Sequence, residues 1–226
     1  MSEVRAEIRR ALGAHADDFE RLERVKQHLD GHARNLIPEC ALQSHPELVH
    51  RFISVLESVE ATVAHVDELA QVASEIVRYQ IVNDLPSSVK SGGDGLIATI
   101  DWSEQTGVEL LSGPATGDDC VSLTRAFAGA AETGTLFVAS GPDNPVTLSF
   151  LPETNIVLIR ARDIVGSYED AWLKLPWNSG DKEGACGPQM PRTVNLISGP
   201  SRTADIEQTL ITGAHGPRRL HVIVVD

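Results

Sequence analysis

Apolar residues recur every three or four positions near the start of the chain, and this spacing predicts amphipathic helices. Within residues 1–34, for example, Val4 and Ile8 fall on one helical face. Pro38 ends the pattern, because proline disfavours helical geometry at the residue before it. We therefore predict an N-terminal helical extension over residues 1–45.

The pattern changes beyond residue 45. A helix is predicted to start at Pro46, because proline suits a first helical turn. From residue 60, apolar runs alternate with helical stretches, and the strongest runs are apolar throughout, as in strands buried on both faces. This order predicts an α/β domain over residues 46–226, with a mainly parallel, Rossmann-like sheet and helices on both faces. The predicted strands are residues 60–66, 96–100, 108–112, 132–140, 155–161, 194–198 and the final LHVIVV, and the predicted helices are residues 67–80, with Asp67 as N-cap, and 167–175.

Charge and composition narrow the range of binding partners. The 226-residue chain is 42% hydrophobic and carries a net charge of −13. Residues 1–34 hold seven basic and seven acidic residues, so the remainder accounts for the whole negative charge. A nucleic-acid-binding protein would show a basic face and aromatic stacking platforms, but aromatic residues make up 4% of this chain. We expect no nucleic-acid partner.

The sequence also indicates the compartment. It has no run of about 18 apolar residues, and its N-terminus lacks the apolar segment of a secretory signal. We expect a cytoplasmic protein with no membrane partner. Cys40, Cys120 and Cys186 are too far apart for an iron–sulfur or zinc ligand run, so free thiols are expected. His28 and His32 are four residues apart, but a solvated helix face explains them better than a metal site, and no metal is predicted.

One motif, VNLISGPSRTADIE, predicts a strand, a tight turn and the start of a helix over residues 203–212. Residues 199–219 are long enough for a crossover between two parallel strands. This order would place Ser201, Arg202 and Thr203 at the carboxyl edge of the sheet, where α/β proteins bind ligands. A helix N-terminus and an arginine both favour an anion. Alternatively, the hydroxyl residues only cap the helix, and Asp205 and Glu207 only interact with its dipole.

Two further stretches carry candidate chemistry. His215 lies in the loop GAHGP, and histidine is the usual side chain for proton transfer near neutral pH. It could equally be a loop histidine bonded to backbone. Glu132 and Thr133 precede a predicted strand, where Gly134 would supply an unusual backbone angle. Glu132 could orient an arginine or act as a nucleophile, and the sequence leaves these roles open.

Three stretches resemble the lactate-utilization protein C family, the stand-alone form of the LUD domain. They are SGPSRTADIEQTLITGAHGPRRLHVIVVD, AETGTLFV and LPETNIVLIRARDIV. The resemblance implies a fold like that of sugar-phosphate isomerases and CoA transferases. It also implies a role in oxidising L-lactate to pyruvate beside two iron–sulfur partner subunits. No cofactor is then expected in this chain, because the clusters would lie in the partners.

These observations support three hypotheses. The first is a non-redox subunit that binds a small carboxylate or phosphate-bearing ligand, or docks partners, through one edge formed by Glu132, Ser201, Arg202, Thr203 and His215. The second is an independent enzyme of CoA-transferase or sugar-phosphate-isomerase type, in which Glu132 is the nucleophile or base, Arg202 clamps an anion and His215 is the acid. The third is a ligand-binding scaffold. The long loop of residues 176–193, with Trp177, is a candidate lid. The predicted ligand-binding residues are Thr133, Gly134, Gly199, Ser201, Arg202, Thr203, Asp205, Glu207, His215 and Gly216.

Overall fold

The chain divides into two compact units, Met1–Ile37 and Pro38–Asp226. A computed structural model describes residues 2–13, 18–31, 34, 36–105, 107–175, 190–203 and 211–226. The first unit holds helix α1 (Ser2–Ala11) and helix α2 (Phe19–Gly31). In this unit the Asp18 carboxylate accepts a hydrogen bond from the Arg21 N–H at 3.0 Å, which satisfies a donor at the start of α2. The predicted boundary at residue 45 stays a prediction.

The second unit is built on a six-stranded sheet in the order β1-β12-β7-β4-β2-β3, with every neighbouring pair parallel. Strands β7 and β12 are buried along almost their whole length. The prediction of an α/β fold with a mainly parallel sheet is therefore confirmed. The strands are β1 (Thr62–Val66), β2 (Ser88–Ser91), β3 (Glu109–Ser112), β4 (Val121–Arg125), β7 (Thr154–Arg160) and β12 (Arg219–Val225).

Two apolar layers cover the two faces of this sheet. Helix α3 (His45–Ser58) contributes Phe52 to the layer that holds Val157 and Ile159 of β7. Helix α4 (Gln71–Val82) contributes Ile76 to the other layer, which holds Ile156 and Leu158. Successive strand residues point to opposite faces, so β7 needs an apolar residue at each of these positions. Burial on both faces explains why residues 156–159 of β7 are all apolar.

A second, four-stranded sheet was not predicted. Its order is β8-β5-β6-β9, and the pairs β5–β6 and β6–β9 are antiparallel. Two short helices, α5 (Thr147–Phe150) and α6 (Tyr168–Leu173), complete the unit. The predicted strand at residues 194–198 therefore exists as β9 but lies outside the parallel sheet. The strands are β5 (Ala128–Ala130), β6 (Thr135–Ala139), β8 (Ile164–Val165) and β9 (Val194–Ile197).

Some local predictions are wrong. Residues 96–100 are not a strand: Ile97–Thr99 is a 3-10 helix, because the Asp94 carboxylate accepts a hydrogen bond from the Leu96 N–H at 2.9 Å. Helix α4 begins at Gln71, not at residue 67, because the Gln71 side-chain oxygen accepts hydrogen bonds from the backbone N–H groups of Asp67 and Glu68. Those two N–H groups are thus satisfied before the helix begins.

The segment after β9 also differs from its prediction. Arg202–Thr203 (β10) and Ile211–Thr212 (β11) form an antiparallel ribbon, so no helix starts at residues 201–203. The predicted crossover between parallel strands is also wrong, because β9 and β12 lie in different sheets. The ribbon is anchored by backbone hydrogen bonds from Ser201 N–H to the Pro217 carbonyl and from Gly213 N–H to the Ser201 carbonyl, at 2.8 and 2.9 Å.

Several predictions fall outside the described residues. Asp205 and Glu207 lie in residues 204–210, and Trp177 with most of the candidate lid lies in residues 176–189. His32 and Cys186 are likewise not described. Within the described ranges, none of the helices combines the length and the apolar character needed to cross a membrane.

Candidate functional site

One cavity of about 290 Å³ gathers most of the candidate residues of the C-terminal segment. Asn155 and Leu220 line it and are register partners as the second residues of β7 and β12. The cavity therefore lies at the amino ends of these strands. The predicted placement at the carboxyl edge is wrong, because the strand before the motif belongs to the second sheet. The lining comprises Ser149, Phe150, Asn155, Leu196, Ile197, Ser198, Gly199, Pro200, Ser201, Arg202, His215, Gly216, Pro217 and Leu220.

Asn155 lines this cavity although its side chain is fully buried. The Thr124 hydroxyl on β4 donates to Asn155 Oδ1 at 3.1 Å. The Ser122 hydroxyl lies 3.3 Å from the same oxygen and donates at 2.6 Å to the Leu148 carbonyl. Asn155 Nδ2 has no hydrogen-bond partner among the described residues. An unpaired buried donor costs about 1–3 kcal/mol, so Asn155 has hydrogen-bonding capacity to offer an occupant.

Arg202 supplies the positive charge at the cavity. Its guanidinium forms an ion pair with Glu60, and Nη2 donates to the Val59 carbonyl at 3.2 Å. The Glu60 side chain is 72% exposed, whereas that of Arg202 is 29% exposed. Arg202 thus ties the β10–β11 ribbon to the end of α3, and its charge is shared with a carboxylate that faces solvent.

The GAHGP loop folds back onto the ribbon. The backbone N–H of His215 donates to Ser201 Oγ at 3.3 Å. His215 is exposed, and Gly216 lies against the Ser201 side chain, since a Cβ on Gly216 would be 3.5 Å from that of Ser201. The structure therefore brings Ser201, Arg202, His215 and Gly216 together with Gly199 around one cavity.

Glu132 does not line this cavity. Its Oε1 accepts a hydrogen bond from the backbone N–H of Tyr168 at 2.8 Å, at the first residue of α6. Its carbonyl accepts one from Arg51 Nη2 at 3.3 Å. Glu132 thus acts as a cap for α6, and the predicted juxtaposition of Glu132 with Arg202 and His215 across one pocket does not occur.

A chain of hydroxyl groups nevertheless links this turn to the cavity. Thr135 Oγ1 lies 2.7 Å from each of three hydroxyl oxygens, those of Thr133, Tyr168 and Ser198. Ser198 lines the cavity. Gly134 sits beside this chain with φ 61°. Its predicted unusual backbone angle is confirmed, and the role of the turn is to position hydroxyl groups.

Asn155, Ser149, Ser198 and Thr135 are absent from the residues proposed on sequence grounds. All of these except Ser198 are buried. Asn155 could have been noticed in the sequence because it directly precedes the apolar residues of a predicted buried strand. A polar side chain that is buried there needs a hydrogen-bond partner. Ser198 follows β9, and no feature of the sequence alone distinguishes it.

A second cavity, of about 310 Å³, lies where the parallel strands end. Two of its three histidines are already paired: His45 Nε2 lies 3.0 Å from the Ala161 carbonyl, and His65 Nε2 lies 2.8 Å from the Asp226 carboxylate. Within the part of the chain that the structure describes, no cluster of three or more histidine, cysteine and acidic residues could hold a metal ion. The site at the amino ends is therefore the better candidate for a ligand.

The C-terminal part of the chain matches a known family. The family model described as LUD domain matches residues 120–225, a segment that includes Asn155, Arg202 and His215. An uncharacterized protein of Neisseria meningitidis serogroup B is 41% identical over 103 residues, which are 46% of this chain and 41% of that protein. Lactate utilization protein C of Halalkalibacterium halodurans is 33% identical over 125 residues, 55% of this chain and 51% of that protein.

A solved structure supports the same relationship at the level of the fold. The crystal structure of a DUF162 family protein from Deinococcus radiodurans aligns with a TM-score of 0.58 and 21% identity, covering 81% of this chain and 99% of that one. The chain spans about half the length of the curated relatives it matches. Residues 120–225 match the LUD domain model, and the resemblance of the chain to the lactate-utilization protein C family is confirmed.

Proposed function

We propose that this protein is a non-redox component of an L-lactate utilization system that works with iron–sulfur partner subunits. Several relatives that share its LUD segment carry the name lactate utilization protein C. Oxidation of lactate to pyruvate releases two electrons and two protons, and in this proposal the partner clusters accept the electrons. The three cysteines of this chain are too widely spaced in sequence to form a cluster ligand run.

The observation that carries the proposal is the cavity at the amino ends of β7 and β12. It combines apolar walls, a buried amide donor and one arginine. A cavity of about 290 Å³ suits a small organic acid. Arg202 at its rim is a suitable partner for a carboxylate. The role proposed for this chain is to hold the acid while its partners carry the electrons.

Purification from the native host tests the proposal. We expect an affinity-tagged full-length chain, isolated gently and without oxygen, to carry iron–sulfur proteins with it, detected by iron content and mass spectrometry. The isolated chain should show no lactate dehydrogenase activity with artificial electron acceptors. Recovery of this chain free of iron–sulfur partners, or lactate oxidation by the chain alone, would contradict the proposal.

No contact of Glu132 favours the alternative of an independent CoA-transferase or isomerase. That mechanism needs Glu132 as a free nucleophile or base beside the anion site, whereas its Oε1 is held by the Tyr168 N–H. Incubation with a panel of acyl-CoA donors should leave Glu132 without a thioester adduct in mass spectrometry.

The ion pair between Arg202 and Glu60 favours a second candidate, a ligand-binding scaffold in which Arg202 only holds the ribbon in place. The two candidates differ in their need for the arginine charge. Lactate-dependent growth of a host that carries Arg202→Ala would support the scaffold, and loss of growth would support the carboxylate site.

A further inference from the structure

We propose that Asn155 is the recognition group of the cavity and that the ligand is a short hydroxy or oxo acid bound in one orientation. A neutral oxygen of the ligand accepts a hydrogen bond from Asn155 Nδ2, and the ligand carboxylate lies at the rim beside Arg202 and His215. The choice of a carboxylic acid rests on the proposed function. The orientation of the ligand and its second oxygen are inferred from the positions of Asn155 and Arg202 in the cavity.

The first step is the unpaired donor. Asn155 is fully buried, and its Oδ1 is occupied by the Thr124 hydroxyl. Its Nδ2 has no partner among the described residues, although the side chain lines a cavity. Buried polar groups in folded proteins are almost always paired. An acceptor oxygen supplied by a ligand would satisfy the unpaired Nδ2 donor of this amide.

The second step concerns the charge of the group that contacts Asn155. The polar side chains that contact the amide are Ser122 and Thr124, which are both buried and uncharged. A carboxylate placed there would lose its hydration without gaining a cation, which is strongly unfavourable. A hydroxyl or carbonyl oxygen accepts the same hydrogen bond and carries no charge. The acceptor at Asn155 is therefore a neutral oxygen.

The third step places the carboxylate. Arg202 lines the same cavity, and its carboxylate partner Glu60 is mostly exposed to solvent. A guanidinium has five N–H donors, so it can hold a ligand carboxylate while it keeps part of its contact with Glu60. Phe150, Leu196 and Leu220 provide apolar surface for the carbon skeleton. The ligand is thus a small acid with a second, neutral oxygen.

The test uses the full-length, ¹⁵N-labelled protein titrated separately with L-lactate, pyruvate and propionate. The side-chain amide signal of Asn155 is assigned by its loss in Asn155→Leu. We expect lactate and pyruvate to shift this signal. Propionate, which lacks the second oxygen, should bind about tenfold more weakly, because the amide then stays unpaired. Propionate that binds as tightly as lactate would overturn the proposal.

A matched pair of variants isolates Asn155. Asn155→Leu should bind lactate and propionate with similar affinity. Thr154→Val removes another buried, unpaired polar group from the neighbouring position, which does not line the cavity, and should keep the wild-type preference. An unchanged preference for lactate over propionate in Asn155→Leu would refute the proposal.

If that variant does not fold, the side-chain amide signal of Asn155 is assigned in the wild-type protein through backbone experiments. A side-chain amide signal that lactate does not shift would then refute the proposal. The co-purification test does not depend on this result.

Discussion

The imidazole of His221 stacks on the ring of Tyr79, with ring centroids 4.0 Å apart and an interplanar angle of 14°. His221 is 1% exposed, so it is a packed residue of the terminal strand. Its Nδ1 lies 2.9 Å from the Thr62 hydroxyl. Its Nε2 lies 3.3 Å from the Glu75 carboxylate but makes no hydrogen bond there, so the contact is electrostatic only.

This environment predicts a dependence of stability on pH. Burial lowers the pKa of His221 from 6.5 to about 4, against the opposing effect of Glu75. Between these values the unfolded chain binds a proton that the folded chain excludes, so stability falls as pH drops from 6.5 towards 4. The loss is at most about 3 kcal/mol. His221→Gln should flatten this part of the pH profile in urea denaturation.

Gly134 is expected to tolerate no side chain. Its φ is 61°, and a Cβ would lie 2.9 Å from Val55 Cγ1 and 3.1 Å from the Leu56 nitrogen. Gly134→Ala should therefore lower the free energy of unfolding by about 1–3 kcal/mol. Gly117→Ala is the matched control, because a Cβ there meets no atom within 4 Å. Equal stability of the two variants in denaturant would contradict the turn geometry.

Glu132 is expected to act through its hydrogen bond to α6. Glu132→Gln keeps an acceptor oxygen for the Tyr168 N–H and should leave lactate-dependent growth intact. Glu132→Ala removes the acceptor and should cost about 1 kcal/mol of stability. Thermal denaturation and growth assays measure the two effects. A complete loss of growth with a normally folded Glu132→Gln protein would instead indicate covalent chemistry at this carboxylate.

Arg202 and Glu60 are expected to have opposite effects on ligand binding. If the guanidinium holds the ligand carboxylate, Arg202→Ala should weaken lactate binding about tenfold. Glu60→Gln removes the carboxylate that competes with the ligand for Arg202, so it should strengthen lactate binding. It is also the matched control for a disturbed ribbon, because it breaks the same ion pair. Calorimetric titration measures both. Weakened binding in both variants would indicate that the ion pair only supports the structure.

The sequence predicts best those elements whose own residues determine their structure. The apolar runs of β7 and β12 and the helical spacing of α3 identify these elements without knowledge of their neighbours. The second sheet escapes detection because β5 and β8 are only three and two residues long, and because β6 pairs with β9 across a long sequence separation. Strands β2 and β4 were missed for a related reason: each carries hydroxyl residues that the fold buries, such as Ser91 and Ser122.

The candidate site was predicted only in part. Ser201, Arg202 and His215 share one cavity, but it lies at the opposite end of the strands from the prediction. The error arises because a strand followed by a turn does not reveal which sheet the strand joins. Asn155 was missed because its importance depends on Thr124 and on the cavity that it lines, and neither relationship can be read from local sequence.

The position of β12 between β1 and β7 has a consequence for the order of folding. The side chains of Thr62 and His221 meet although they are 159 residues apart in the chain. Neither β1 nor the β12-facing side of β7 can pair until β12 has been synthesised, and contacts of such sequence separation form slowly. The edges of β1 and β7 that pair with β12 therefore stay unpaired during synthesis, and the nascent chain is expected to depend on chaperones that protect such edges.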